Sequence, residues 1–280
     1  MTIAITGATG QLGRLAIAAL KTRSPQSNLI GLVRDPAKGA DLGVPLRAFD
    51  YHQAAGQTAA LEGVTVLVLI SSNDFNDRTG QHANVIAAAK AAGVGRIVYT
   101  SILKGDASPM ILAQDHIATE VALKASGVPF TILRNGWYTE NYLGALAGAV
   151  AHGSLIGSGG EGCVSAATRA DYAEAIAVVA AEPGHEGKIY ELGGDTAFTP
   201  AELAAEVSRQ AGKPVGYVNL PQADYAAALE GFGLPAAFAA TLADSDAHAA
   251  KGALFDDSRT LSRLIGRPTT PLATAVAAAL

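Results

Sequence analysis

"TGATGQLG", residues Thr6 to Gly13, places three glycines, Gly7, Gly10 and Gly13, at intervals of three between a β-branched run and a helix-like one. A residue without a side chain accepts positive φ and lets backbone or ligand approach closely. Thr2 to Thr6 read as a buried parallel strand, while Leu12, Leu15, Ala16, Ala19 and Leu20 recur at helical spacing. The loop between them is therefore a helix N-terminus, whose free N–H groups and positive dipole end suit a diphosphate. In that reading Gly7 makes the turn, Gly10 admits the pyrophosphate and Gly13 lets helix pack on strand. A glycine triplet alone also fits a plain strand-to-helix turn, so the rest of the chain has to decide.

Short apolar runs continue downstream: "NLIGLVR", "VPLRAFD", "VTVLVLISS", "RIVYTS" and "PFTILRN" read as strands two to six. Helical runs lie between most of them, most clearly Gln81 to Ala92 and Ile111 to Ser126. Buried strands alternating with amphipathic helices predict right-handed crossovers and an α/β, doubly wound parallel sheet. Ligands sit at the carboxyl ends of such strands, which singles out Gly7 to Gly13, Arg34, Ser71 to Asn73, Thr100 to Leu103 and Asn135 to Tyr138.

The regular alternation loosens beyond Tyr138. "NYLGALAGAVAHG" reads as one helix, "GSGGEG" as a loop and "TRADYAEAIAVVAAE" as a further helix. "GKIYELGG" reads as one more strand of the main sheet, and "TPAELAAEVSRQAG" carries helix start and stop signals in Thr199, Pro200, Glu202 and Gly212. The expected organisation is a dinucleotide-binding domain over 1–150 and a smaller C-terminal α/β lobe over 151–280, with 165–195 returning to the main sheet. Asp244, Asp246 and His248 do not share one helical face, so a solvated helix surface is expected there rather than a metal site.

Composition narrows the partners. The chain has 280 residues, 49% hydrophobic and 16% charged, enough to bury a large core as one domain or two packed lobes. A formal net charge of −5 without any Lys/Arg run argues against nucleic acid. Cys163 is the single cysteine, which excludes an intramolecular disulfide, fits a reducing compartment and reads as a small core residue. The first strand starts at once, leaving no room for a signal peptide, and the run Val66 to Ile70 is far short of the ~18 residues a membrane span needs. A cytoplasmic protein is expected.

The second strand ends in Arg34, where an acidic residue would hold the ribose of NAD and an Arg accommodates the 2′-phosphate of NADP. A guanidinium offers a planar fork to phosphate and no acceptor to a bare ribose, so NADPH is the expected cofactor and NADH the alternative. The competing reading is a surface Arg paired to Asp35. Many enzymes of this class use a Tyr and a Lys four residues later as proton donor pair. None of the eight tyrosines here has Lys at i+4. The corresponding helix carries "DHIATE", with His116 either a donor near the nicotinamide or a helix-surface partner of Glu120.

The motifs "ITGATGQLG", "VRDPAK", "LISS", "QHANVIAAAKAAGV", "YTS", "LRNGWYTENYL", "SAATRADYA", "GHEGKIYEL" and "LFDDSRTLSRLIGRPTTPL" run through essentially the whole chain. Together they resemble the bacterial type 2 NAD(P)H:quinone oxidoreductases, flavin-free members of the NmrA-like branch of atypical short-chain dehydrogenases, close to the triphenylmethane dye reductases. The resemblance implies a Rossmann-like domain with a smaller lobe and NADPH-dependent reduction of quinones, without flavin or metal. A quinone accepts hydride and leaves a weakly basic oxygen, so no strong acid is needed, only stacking and orientation. Cofactor contacts are then expected from Gly7, Thr9, Gly10, Gln11, Leu12 and Gly13, from Arg34, Ser71, Ser72 and Asn73, and from Ser101, Asn135, Trp137 and Tyr138. Phe75, Trp137 and Tyr138 would face the quinone, with His116, Tyr138 and Asn141 as candidate catalytic residues. Two rivals stay open: a dinucleotide sensor without turnover, favoured by the missing Tyr/Lys pair, and a reductase of cationic dyes. Homo-oligomerisation is also left open.

Overall fold

The computed structural model describes residues 1–74 and 76–280. Compact contacts divide the chain into two units. The first comprises Met1–Gly105, Asp115–Asn135 and Arg169–Tyr190, and the second Asp106–Gln114, Gly136–Thr168 and Glu191–Leu280. The expected boundary at 150 thus falls inside the second unit, which the chain visits at Asp106–Gln114 and re-enters after Asn135, and residues 169–190 lie in the first.

In the first unit the strands are β1 (Thr2–Thr6), β2 (Asn28–Val33), β3 (Leu46–Ala48), β4 (Val66–Leu69), β5 (Arg96–Ile102) and β6 (Phe130–Asn135). The helices are α1 (Gln11–Arg23), α2 (Gln57–Ala60), α3 (Arg78–Ala91) and α4 (Ala113–Ala125). Among the described residues the main sheet has the strand order β3-β2-β1-β4-β5-β6 and ends on a seventh strand, Ile189–Leu192. The pairs from β3 to β6 are parallel, with Ile3 against both Leu29 and Val66, and Tyr99 against Ile132. The chain runs outward from β1 to β3, then crosses back to β4 beside β1, which is the topology of a Rossmann-like, doubly wound sheet.

The strands read as continuous apolar runs because both faces of the sheet are covered. On one face Ala4, Leu67, Leu69, Ile97 and Tyr99 pack with Val85 and Ile86 of α3 and Leu123 of α4. The other face receives α1, which packs on a helix at Arg169–Ala181. That helix is apolar on every side through "AIAVVAA" and is buried on every side, between sheet and α1, as its sequence requires.

The second unit contains two helices where one was expected, α5 (Glu140–Leu143) and α6 (Leu146–His152), with Gly144 and Ala145 between them in a tighter turn. Next come β7 (Ser154–Gly157), α7 (Arg169–Ala181, belonging to the first unit) and β8 (Ile189–Leu192), the seventh strand of the main sheet, within which the boundary between the units falls. The chain closes with α8 (Pro200–Ala211), β9 (Gly216–Asn219), α9 (Gln222–Gly231), α10 (Ala236–Ala249), α11 (Thr260–Ile265) and α12 (Leu272–Ala279). β7 was not expected, because among the described residues its only pairing is to β9, Leu155 against Tyr217, far along the chain. The expected start of α8 is a full capping box: Thr199 Oγ1 accepts from Glu202 N at 3.2 Å and Glu202 Oε2 accepts from Thr199 N at 2.7 Å.

Two expectations are corrected here. Cys163 is exposed, since it follows the turn "GGEG" and points away from the core. Asp244 and Asp246 are not on a solvated helix surface. Asp244 Oδ2 accepts from Ile111 N at 2.8 Å and Asp246 Oδ2 from Ser158 N at 2.8 Å, so each carboxylate is engaged by a loop amide. Burial pushes the Asp246 carboxyl above its ordinary value despite the amides of Ser158 and Gly159. Among the described residues no helix is long and apolar enough to cross a membrane.

Candidate dinucleotide-binding site

At the carboxyl ends of β1, β2 and β4, where the strand order reverses, the first unit holds a cleft of about 520 Å³. Its floor is the loop from β1 to α1. Gly7 has φ +58°, the left-handed conformation that turns the chain sharply. A Cβ on Gly13 would lie 2.3 Å from the Gly7 carbonyl oxygen and 2.8 Å from Ala8 Cα, so the first turn of α1 rests directly on the loop backbone. Gly10 is the N-cap of α1, and a Cβ there would lie 3.1 Å from the same carbonyl. Among the described residues no side chain caps α1, and no acidic residue stands in its first turn. Its positive end therefore faces the cleft without an internal anion, an arrangement that fits a diphosphate.

Arg34 follows β2 and lines the cleft, exposed. Asp35 does not pair with it. The Asp35 carboxylate instead accepts from Ala37 N at 3.0 Å and caps the turn that begins at Pro36. Among the described residues no ion pair engages Arg34, so its guanidinium is left for an external anion.

The far wall comes from the ends of β3 and β4. The Tyr51 hydroxyl lies 2.6 Å from both Thr6 Oγ1 and the Ile70 carbonyl, and burial pushes the phenol well above its ordinary value, keeping it protonated. After β4, Ser71 N donates to Thr100 Oγ1 at 2.9 Å and Ser72 N to His82 Nε2 at 2.9 Å. Ser72 Oγ accepts from Asp74 N at 3.1 Å, and Asp74 Oδ2 accepts from Gln81 Nε2 at 2.7 Å. The Asn76 amide, followed by Gln81 and His52, holds the Asp74 carboxyl below its usual range.

The cleft thus gathers Gly7, Thr9, Gly10, Gln11, Leu12 and Gly13 with Arg34 and with Ser71, Ser72 and Asn73. It does not include Ser101, Asn135 or His116. Ser101 is buried and its hydroxyl donates to Glu120 Oε1 at 2.7 Å. Asn135 is buried at the end of β6, its carbonyl accepting from Leu103 N at 2.8 Å. His116 is not on the helix surface and does not pair with Glu120: its Nδ1 lies 2.8 Å from the Tyr99 hydroxyl, inside the unit. Burial, reinforced by Arg78 and His82, drives its pKa well below the ordinary value and keeps it neutral.

Glu120 turns inward too, between Arg134 (Nε to Oε1 2.9 Å, Nη2 to Oε2 2.7 Å), Ser101 and Lys124. Burial raises its pKa, but the hydrogen bonds from Arg134 and Ser101 more than offset this and leave it below the usual range.

Trp137, Tyr138 and Asn141 belong to the second unit. Trp137 and Tyr138 are half-buried, and the Trp137 carbonyl accepts from Ala167 N while Tyr138 forms a parallel bridge to Ala167. Asn141 is exposed, with its amide donating to the Tyr138 carbonyl at 3.0 Å. Phe75 lies outside the described residues.

Sequence reasoning missed Asp50, Tyr51, His52, Gln81 and Arg169 as cleft-lining residues. The rule about carboxyl ends could have found the first three, which lie two to four residues beyond the end of β3, but was not applied to that strand. Arg169 arrives from a segment more than 150 positions from the glycine loop, with no local sign.

A family model described as NAD(P)H-binding matches residues 7–183. Quinone oxidoreductase 2 of Escherichia coli (strain K12) is 55% identical over 277 residues, covering 98% of this chain and 97% of its own. The crystal structure of an Escherichia coli NADPH-dependent quinone oxidoreductase complexed with NADPH superposes with a TM-score of 0.96 at 55% identity, covering 99% of both chains. The Citrobacter sp. triphenylmethane reductase complexed with NADP(H) gives 0.94 at 37% identity, over 99% of this chain and all of that one (100%).

Proposed function

Because this chain belongs to the NAD(P)H-binding family, we propose that it is an NADPH-dependent quinone reductase passing hydride directly to its acceptor, without flavin or metal. The observation that carries this reading is the 55% identity to Quinone oxidoreductase 2 across 98% of this chain and 97% of that one. The glycine loop and the uncapped end of α1 would hold the diphosphate, and Arg34 the 2′-phosphate. Ser71, Ser72 and Asn73 would contact the ribose side. NADPH, when bound, supplies the hydride that converts a quinone, together with one proton from solvent, to its hydroquinone.

The protein's own task is to bind, orient and exclude competing water. Trp137 and Tyr138 offer aromatic surface for a quinone ring, with Phe75 a further candidate. Tyr138 and Asn141 carry donors for the quinone oxygen as it gains charge. His116 receives no role in proton transfer, since it is buried against Tyr99 and held neutral. The expected setting is the cytoplasm, with a small quinone as partner.

A second reading, a dinucleotide sensor without turnover, has one specific observation in its favour. The α4 positions where a proton-donating pair would be sought carry His116 and Glu120, and both are engaged in internal structural bonds. One experiment separates the readings: NADPH oxidation followed with a panel of quinones and a triphenylmethane dye, using dialysed protein and no added flavin. Turnover with quinones and no flavin absorbance supports the proposal. Tight NADPH binding without turnover on any acceptor supports the sensor, and a retained flavin spectrum removes the direct-transfer mechanism.

A further inference from the structure

The residue that fixes the β4 loop is buried beneath it and has no place in the chemistry described so far. His82 of α3 is completely buried, edge-on between Tyr51 at 6.1 Å and Tyr99 at 5.5 Å. Its Nε2 lies 2.9 Å from the Ser72 amide, and a backbone N–H can only donate. Nε2 must therefore carry a lone pair, which puts the proton of the neutral ring on Nδ1. That nitrogen lies 2.9 Å from Thr119 Oγ1, whose hydroxyl in turn donates to the Asp115 carbonyl at 2.7 Å. His82 and Thr119 each accept one hydrogen bond and donate one, between a backbone N–H that can only donate and a carbonyl that can only accept, so the tautomer is fixed from both ends.

We propose that His82 is a positioning residue for cofactor binding: its unprotonated Nε2 holds the Ser72 amide, and with it the Ser71 to Asp74 loop, in the conformation that lines the cleft. The inference rests on the reading that this loop meets the dinucleotide. A second anchor stands beside it: Gln81, one residue earlier on α3, grips Asp74 at the other end of the same loop. Arg78 is buried nearby, His116 is itself neutral, and Tyr51 and Tyr99 are kept protonated by burial. Burial first, and Arg78 second, push His82 down to about 3.

Two variants and the native ring test this. His82→Phe keeps an aromatic ring and removes the acceptor, while His82→Gln places an amide oxygen about as far from the backbone as Nε2. In ligand-free protein, hydrogen exchange of the Ser72 amide should quicken about 5- to 100-fold in His82→Phe, the range set by orphaning a buried donor. The amides of Val85 to Ala89 within α3 should not change. NADPH affinity should weaken by a similar factor with kcat at saturation little altered, and His82→Gln should return both readouts to within about threefold of wild type. Nitrogen NMR of the wild type should find Nε2 unprotonated at neutral pH. A protonated Nε2, unchanged Ser72 exchange in His82→Phe, or a Gln variant no better than Phe would each overturn the proposal. If wild type binds no NADPH the dinucleotide reading fails, while Ser72 exchange and the nitrogen spectrum still decide the role of His82.

Discussion

At Gly13 the room for a single methyl group is decisive, because the atoms that an added Cβ would meet are backbone atoms of Gly7 and Ala8 that cannot swing aside. Gly13→Ala should push α1 off the loop, lowering stability by about 1–3 kcal/mol as other overpacked sites do, and NADPH affinity should fall with it. Urea unfolding and cofactor titration on the same variant check both. Arg34 poses the opposite case, an exposed cation with no internal ion pair among the described residues. A charge-assisted contact to phosphate is worth roughly 1.5–3 kcal/mol, so Arg34→Ala should weaken NADPH by about 10- to 100-fold and leave NADH nearly unchanged. Equal weakening of both cofactors would mean that Arg34 supports the loop and does not read the phosphate.

Among the elements, β6 and α4 are joined by the Arg134 to Glu120 pair, which also reaches the end of β5. The Arg134 guanidinium packs flat against Gly105, where a Cβ would lie 2.1 Å from Cζ, in a loop that carries Lys104 at φ +67°. Arg134→Met would leave a buried carboxylate with Lys124 as its remaining cation and should cost about 3–5 kcal/mol, much of it regained in the double variant Arg134→Met, Glu120→Leu. Chemical denaturation of the wild type, Arg134→Met, Glu120→Leu and the double variant tests the cycle. This pair also marks the limit of reading elements from sequence. The glycine loop, β1, the strand runs and the cap of α8 were legible because each is encoded within a few neighbouring residues. The helical spacing of His116 and Glu120 was legible as well, but which face of α4 is buried depends on Tyr99 and Arg134, two strands of tertiary partners that local periodicity does not contain. β7 escaped for the same reason, since four residues beside a glycine-rich loop become a strand only when β9 arrives.

For the whole molecule, the two buried histidines set an acid boundary. Both are neutral when folded and titrate near 6.5 when unfolded, so below pH about 6.5 the unfolded chain binds more protons and stability declines as pH falls, for His82 down to about pH 3. Each histidine contributes at most about 1.4 kcal/mol per pH unit. Urea midpoints between pH 7 and pH 5, above the range where carboxylates protonate, should fall in the wild type and fall less in His82→Gln. A flat profile would mean that the imidazoles are charged in the folded protein. The division of the chain into non-contiguous segments has a consequence for the order in which the protein is made. α7 covers α1 and one face of β4 to β6, yet it emerges from the ribosome only after the whole stretch from Gly136 to Thr168. At roughly 5–20 residues per second, the nascent first unit waits several seconds with that face bare. Stalling or truncation before Arg169 should therefore yield a chaperone-bound or aggregating product and not a free-standing nucleotide-binding domain.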